Sequence, residues 1–179
     1  PGLSSEEHPP QMSELVNIRL RTLGWLILPV TVVGLIPWWL LGWLTGERLT
    51  WPASPWQWLG VWLIANGLGL AAWCVNLFNV QGRGTPWPLD PPKQFVVSGP
   101  YRYVRNPMML GMLLILLGEA VVGESVTLLF YALVLSALAH MFVVLWEEPD
   151  LTRRFGPAYA EYRRHVPRWI PRLPNGKIP

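Results

Sequence analysis

The chain has 179 residues, 51% of them hydrophobic and only 14% charged, against roughly 25% charged in soluble proteins. That length allows one domain, residues 1–179, and a single cysteine, Cys74, excludes an intrachain disulfide, a redox pair and a Cys-based metal site, so no metal is expected. The net charge of +3 and the pI near 9.4 read as membrane topology and exclude nucleic acid as the natural partner, because the apolar residues come in blocks long enough to cross a bilayer.

Residues 1–18 are polar and Pro-containing and are expected to be disordered. Arg19 and Arg21 then anchor a first span over 23–44, which has no charged side chain and carries Pro29 and Pro37. A kinked helix is expected, with the carbonyls freed by the prolines covered by neighbours. Trp38, Trp39 and Trp43 precede the following turn and Trp51, Trp56 and Trp58 follow it, an aromatic belt at one membrane surface. The second span, 56–79, places Gly60, Gly67 and Gly69 among alanines, and such small residues let membrane helices approach closely. Asn66 is expected to bond across helices, and Asn76 and Asn79 lie near the end of the span.

The next stretch carries Gly82, Gly84, Pro86, Pro88, Pro91 and Pro92 and cannot be a regular helix or a central strand. A third span over 107–123 has 17 residues, about 25 Å at 1.5 Å each, with Glu119 and Glu124 read as solvated charge at the turn after it. The fourth span, 125–146, holds His140 and runs up to Glu147-Glu148-Pro149. After it Leu151, Phe155, Tyr159 and Tyr162 form an apolar stripe with Arg153, Arg154, Arg163 and Arg164 elsewhere, as in an amphipathic helix at a membrane interface, broken or kinked near Gly156-Pro157. The fold class is therefore all-α: an integral membrane protein of about four transmembrane helices and a C-terminal amphipathic helix, with 23–79 as two N-terminal spans and 80–172 as the functional core. On that topology 13 of the 14 Lys and Arg residues share one side, which is cytoplasmic by the positive-inside rule and carries both termini.

Two polar clusters meet at that side. Tyr101, Arg102, Tyr103, Arg105 and Asn106 open the third span, with Asn106 suited to the N-cap and Pro107 to the first turn. His140, Glu147 and Glu148 close the fourth, and the seven-residue spacing of His140 and Glu147 puts both on one face of an α-helix. A helix start with two guanidinium groups suits an acid group. The paired carboxylates run against the helix dipole and suit an ammonium or ribose hydroxyls. A zwitterionic, nucleotide-like ligand matches the combination.

Gly82-x-Gly-Thr-Pro86, Gly99-Pro-Tyr-Arg-Tyr-Val-Arg-Asn-Pro-Met108, Glu147-Glu-Pro-x-Leu151, Phe155-Gly-x-x-Tyr159 and Val166-Pro-Arg-Trp-Ile-Pro171, in this order, resemble the isoprenylcysteine carboxyl methyltransferase family, related to the phospholipid N-methyltransferases. The resemblance covers about residues 75–172. It implies an S-adenosylmethionine site, with S-adenosylhomocysteine as product, formed by Gly99, Tyr101, Arg102, Arg105, Asn106, Pro107 and Met109 with His140, Glu147 and Glu148. Arg105, Glu147 and His140 are the catalytic candidates, and a lipophilic acceptor would enter from the bilayer. The chain departs from the family where many relatives have His at position 106 and Tyr at position 109. Competing readings are an amine-directed phospholipid-type N-methyltransferase, an NADPH-dependent membrane reductase of related fold, and a non-catalytic lipid-binding protein.

Overall fold

The computed structural model describes residues 12–45, 54–83, 85 and 92–172. All regular structure among them is helical. Helix α1 (Met12–Trp25) runs on through Ile27–Val30 and Ile36–Leu40 by way of two π turns, Thr31–Leu35 and Leu41–Thr45. Helices α2 (Pro55–Val80), α3 (Pro107–Val122) and α4 (Val126–Phe142) follow. A third π turn, Val143–Glu147, joins α4 to α5 (Glu148–His165).

Val16–Trp43, Pro55–Val80 and Val126–His165 are long and apolar enough to cross a membrane, and Pro107–Val122 is a shorter apolar helix. The 16 residues of α3 measure about 24 Å against a hydrocarbon core of about 30 Å, so the expected third crossing is a short helix held alongside α2. The 40 residues of Val126–His165 measure about 60 Å, twice that core, and the part beyond Trp146 extends past it. Leu20, Leu23, Ile27, Trp38, Trp43 and Phe130 are exposed, as lipid-facing side chains of such a bundle would be.

The first helix starts earlier than expected. Residues 12–18 belong to α1, while residues 1–11 lie outside the described residues. Ile18 and Thr22 are buried one turn apart, which gives that turn a face to pack. Thr22 Oγ1 donates to Asn79 Oδ1 of α2 at 2.8 Å. Asn66, expected to bridge helices, instead donates to the Trp62 carbonyl of its own helix at 2.8 Å.

Helices α2 and α3 pack in direct backbone contact. Gly60, Gly67 and Cys74 recur every seven residues and are buried, so they form one seam along α2. Gly111 and Gly118 do the same on α3. A Cβ on Gly67 would sit 2.5 Å from the Gly111 carbonyl oxygen, and one on Gly118 2.6 Å from that of Gly60. Only hydrogen fits at these points. The pairing makes the helices antiparallel, and Gln57 Nε2 closes the far end by donating to the Val122 carbonyl at 3.2 Å.

Prolines are absorbed by π turns. In Thr31–Leu35 the Ile36 N–H bonds the Thr31 carbonyl, five residues back. The next partner in that register, for Val32, is Pro37, which has no N–H. The freed Val32 carbonyl accepts from Tyr131 Oη of α4 at 2.7 Å, beside a core of Val33, Ile115, Leu116 and Ala132. The same device recurs at the end of α4. Glu148 N–H bonds the Val143 carbonyl and Pro149 follows, so the helix continues where Pro149 is expected to end it. The expected break at Gly156-Pro157 is a single residue, Gly156 at φ 49°, inside α5.

The stripe of α5 packs inward. Tyr159, Tyr162 and Val166 are buried against Phe95 and Val97, and the rings of Phe95 and Phe155 stack at 5.0 Å. Residues 166–172 are irregular.

Replacing Gly67 by Val is expected to force α2 and α3 apart at a cost of about 1–3 kcal/mol. Thermal denaturation in detergent should show a clear fall in midpoint. Gly69→Ala, at a position with nothing within 4 Å, should leave the midpoint unchanged or slightly raised.

Candidate active site

The segment between α2 and α3 must turn sharply to place polar side chains at the start of α3. Gly99 makes that turn with φ 57°, where a Cβ would lie 2.9 Å from Leu77 Cδ1. It opens the 3-10 turn Gly99–Arg102, which buries Pro100 and Tyr101 against Cys74, Leu77 and Val96. Burial holds the Tyr101 phenol well above its ordinary pKa, and the adjacent Cys74 thiol adds to this. Tyr101 is thus a fixed structural group, and its carbonyl accepts from Tyr162 Oη at 2.7 Å.

Asn106 occupies the N-cap position and Pro107 the first turn, as expected, but the Asn106 side chain makes no capping bond. Its Nδ2 donates to the Arg168 carbonyl at 3.1 Å. The backbone is laced to the same tail: Arg105 N–H donates to the Pro167 carbonyl at 2.9 Å and Arg172 N–H to the Tyr103 carbonyl at 3.0 Å. The start of α3 and residues 166–172 are therefore one unit.

Glu148 holds that unit to the end of α4. Its Oε1 accepts from Arg105 Nη1 at 2.7 Å and from Arg168 Nε at 2.7 Å, and its Oε2 accepts from Arg168 Nη2 at 2.9 Å. Three charge-assisted bonds from two guanidinium groups hold Glu148 as the anion, and the carboxylate in turn raises the pKa of Arg168. Glu148 is 7% exposed, so the pair is screened little by salt.

Beside this clamp opens a cavity of about 810 Å³. Its polar end is lined by Arg105, Asn106, Glu147, Glu148, Asp150 and Arg154, and its long apolar body by residues such as Val33, Leu68, Met112 and Ile115. Two polar atoms at the polar end are buried and lack a hydrogen-bond partner among the described residues: Arg105 Nε and Glu147 Oε2. One is a donor and the other an acceptor. Buried polar groups are normally paired, so this opposed pair is the strongest local sign of a ligand. A zwitterion complements it.

Of the residues singled out from sequence, the structure brings Tyr101, Arg105, Asn106, Met109, Glu147 and Glu148 to the cavity wall. Gly99 and Pro107 shape the chain without lining it, and Arg102 is exposed away from it. His140 is also exposed and away from it: its Nδ1 accepts from Trp169 Nε1 at 2.9 Å on the outside of the bundle. The π turn explains this. It is wider than an α turn, so the helix rotates by about a quarter-turn less between His140 and Glu147 than seven α-helical residues require. Glu147 faces the cavity and His140 does not.

Sequence reasoning missed Arg168 as a partner of Glu148, although it lies in the Val166-Pro-Arg-Trp-Ile-Pro motif. It also read Glu119 as surface charge, whereas Glu119 lines the cavity. Gly84 and residues 86–91 lie outside the described residues, and with them two of the five residues of the Gly-x-Gly-Thr-Pro stretch; Gly82 is buried, where a Cβ would meet the Phe78 carbonyl at 2.8 Å. Among the described residues no group of three or more His, Cys, Asp or Glu could hold a metal ion.

A family model described as phospholipid methyltransferase matches residues 56–158, which include α2, the junction, α3, α4 and most of α5. The chain belongs to the phospholipid methyltransferase family. The chain is 34% identical over 137 residues to methanethiol S-methyltransferase 2 of Bradyrhizobium diazoefficiens, covering 73% of this chain and 50% of the relative. It is 36% identical over 80 residues to protein-S-isoprenylcysteine O-methyltransferase of Schizosaccharomyces pombe, covering 44% and 34%. A third relative, cobalt-zinc-cadmium resistance protein CzcN of Cupriavidus metallidurans, is 31% identical over 128 residues, covering 65% and 55%. The chain thus spans between a third and just over half of the length of these relatives. No solved structure matches it.

Removing the shared anion should release both of its partners. Glu148→Ala is expected to destabilise the protein by about 3–5 kcal/mol, because two guanidinium groups lose their buried counter-charge. Hydrogen exchange should show lost protection of the Arg105 and Arg172 amides, while protection within α2 is retained.

Proposed function

We propose that this protein is an S-adenosylmethionine-dependent methyltransferase that methylates a lipophilic acceptor held in the membrane. The observation that carries this reading is the opposed pair of unpartnered buried atoms, Arg105 Nε and Glu147 Oε2, at the polar mouth of an otherwise apolar cavity. Family membership and the names of two relatives support it. A guanidinium suits the carboxylate of the cofactor's amino-acid part, and a carboxylate suits its ammonium. Asn106 and the uncapped start of α3, where the helix dipole is positive, add to the anion side.

When bound, the cofactor supplies an electrophilic methyl group on a sulfonium. The chain's own part is positioning and exclusion of water. Arg105 is held by Glu148, so its guanidinium is oriented before any ligand arrives. The apolar cavity wall keeps water from the reacting end and strengthens the charges there. A carboxylate acceptor brings a charge opposite to that of the sulfonium, and no general base is required. A thiol is the second reading, favoured because the methanethiol S-methyltransferase aligns with most of the chain. For a thiol or amine a proton has to leave, and Glu147, the carboxylate outside the Arg105–Glu148–Arg168 clamp, is the group able to take it.

The placement of the site also fits the charge pattern. Arg105, Arg154 and Arg168 stand at the Lys- and Arg-rich end of the chain's topology, and we assign that end to the cytoplasm.

Titration of S-adenosylhomocysteine into the purified protein in detergent tests the proposal, with NADPH titrated separately. Saturable binding of the first alone is expected. Arg105→Ala and Glu147→Ala should each weaken it at least about tenfold, the value of one charge-assisted hydrogen bond. His140→Ala should change it less than about twofold, since that side chain lies outside the cavity. Binding of NADPH alone would replace this reading with a reductase, and binding of neither would leave a lipid-binding protein.

A further inference from the structure

The cavity does not end in hydrocarbon. Glu119, on α3, lines its wall, and Glu119 Oε2 is buried without a hydrogen-bond partner among the described residues. Glu119 stands thirteen residues along α3 from Asn106, about 20 Å at 1.5 Å per residue. Between the two lie Met112 and Ile115 on the same wall, facing Val33 of the first helix and Leu68 of α2. The space therefore has a polar end, an apolar middle about as long as an extended acyl chain, and a second polar group at the far end.

A carboxyl group inside an apolar helix is costly and is a functional candidate on that ground alone. Among the described residues no contact requires the carboxyl group here. Gly118 beside it makes the backbone contact with Gly60, and Ala120 packs with Leu41 and Leu128, so the neighbours fix α3 without the Glu119 side chain. A pure hydrocarbon tail would also leave the oxygen unsatisfied when it filled the cavity.

We infer that the natural occupant of the cavity carries a hydrogen-bond donor at the far end of its chain, and that Glu119 selects for it. The occupant is the acceptor, an amphiphile with two polar ends: a reactive head beside the cofactor at the cavity's polar end, and a terminal hydroxyl donating to Glu119. This deepens the acceptor part of the proposed function and rests on the cavity being the acceptor site.

The test compares a saturated long-chain fatty acid with the ω-hydroxy acid of the same length, each titrated into the detergent-solubilised protein. The wild type should bind the ω-hydroxy acid about tenfold more tightly, as a hydrogen bond to a buried carboxyl allows. In Glu119→Leu the preference should vanish or reverse, while Glu119→Gln, which keeps an acceptor oxygen, should retain part of it. Thermal midpoints of both variants near that of the wild type would show that the fold is intact. Equal binding of the two acids, binding of neither, or a preference that survives in Glu119→Leu would overturn the inference. S-adenosylhomocysteine titrated into the same samples separates the two claims. Its failure to bind, with the chain preference present, would remove the methyltransferase reading and leave this one standing.

Discussion

The structure depends on the backbone contact between α2 and α3. Gly60 against Gly118 and Gly67 against Gly111 permit one axial register, because a shift in either direction brings a side chain into the seam. That register places Pro107 at the level of Ala71 on α2, one turn before Cys74, against which Tyr101 is buried, and so fixes the depth of Arg105 and Asn106. Glycine seams of this kind hold membrane helices by close contact where lipid removes the hydrophobic driving force. A site built at the end of such a pair inherits its rigidity.

The second constraint is electrostatic. Glu148 receives hydrogen bonds from Arg105 and Arg168, so α3, the end of α4 and the C-terminal segment meet at one carboxylate. Removing the carboxylate strands both cations at once, which makes the arrangement cooperative. The clamp also divides labour between adjacent residues. Glu148 is used up in holding the site together, and Glu147, one residue away, keeps an oxygen free. The π turn before Pro149 brings both to the cavity from a single helix. Widened turns of this sort are frequent at functional sites, and here the following proline makes the widening possible by removing a donor that an α turn would have used.

On the function we propose, the cavity has two chemistries to reconcile. A charged, nucleotide-like cofactor needs desolvated ions, and a lipophilic acceptor needs a dry hydrocarbon channel. On that reading, ions at the mouth and a channel along α3 would let one cavity take both. The names of two relatives, a methanethiol S-methyltransferase and an isoprenylcysteine O-methyltransferase, give different acceptors.

Much of this was legible from sequence because it depends on local chemistry. Long uncharged blocks have to be membrane helices and Asn106-Pro107 has to start one; Glu147 and Glu148, read as opposing the dipole at a helix C-terminus, stand instead where the helix runs on into α5. Gly60, Gly67 and Gly69 marked a close contact on the second span without naming its partner; Gly60 and Gly67 make it, against Gly118 and Gly111, and Gly69 takes no part. What the tertiary structure alone decided was orientation and pairing. His140 and Glu147 share a face in an ideal helix, and only the π turn separates them. Asn106 is a capping residue by type, yet its side chain serves the distant Arg168 carbonyl. Glu119 reads as solvated charge by its position near a turn, and faces the cavity because the register of α3 on α2 turns it there. Local propensity is set within a few residues along the chain, whereas these outcomes depend on the angle at which one helix meets another, which no single segment encodes.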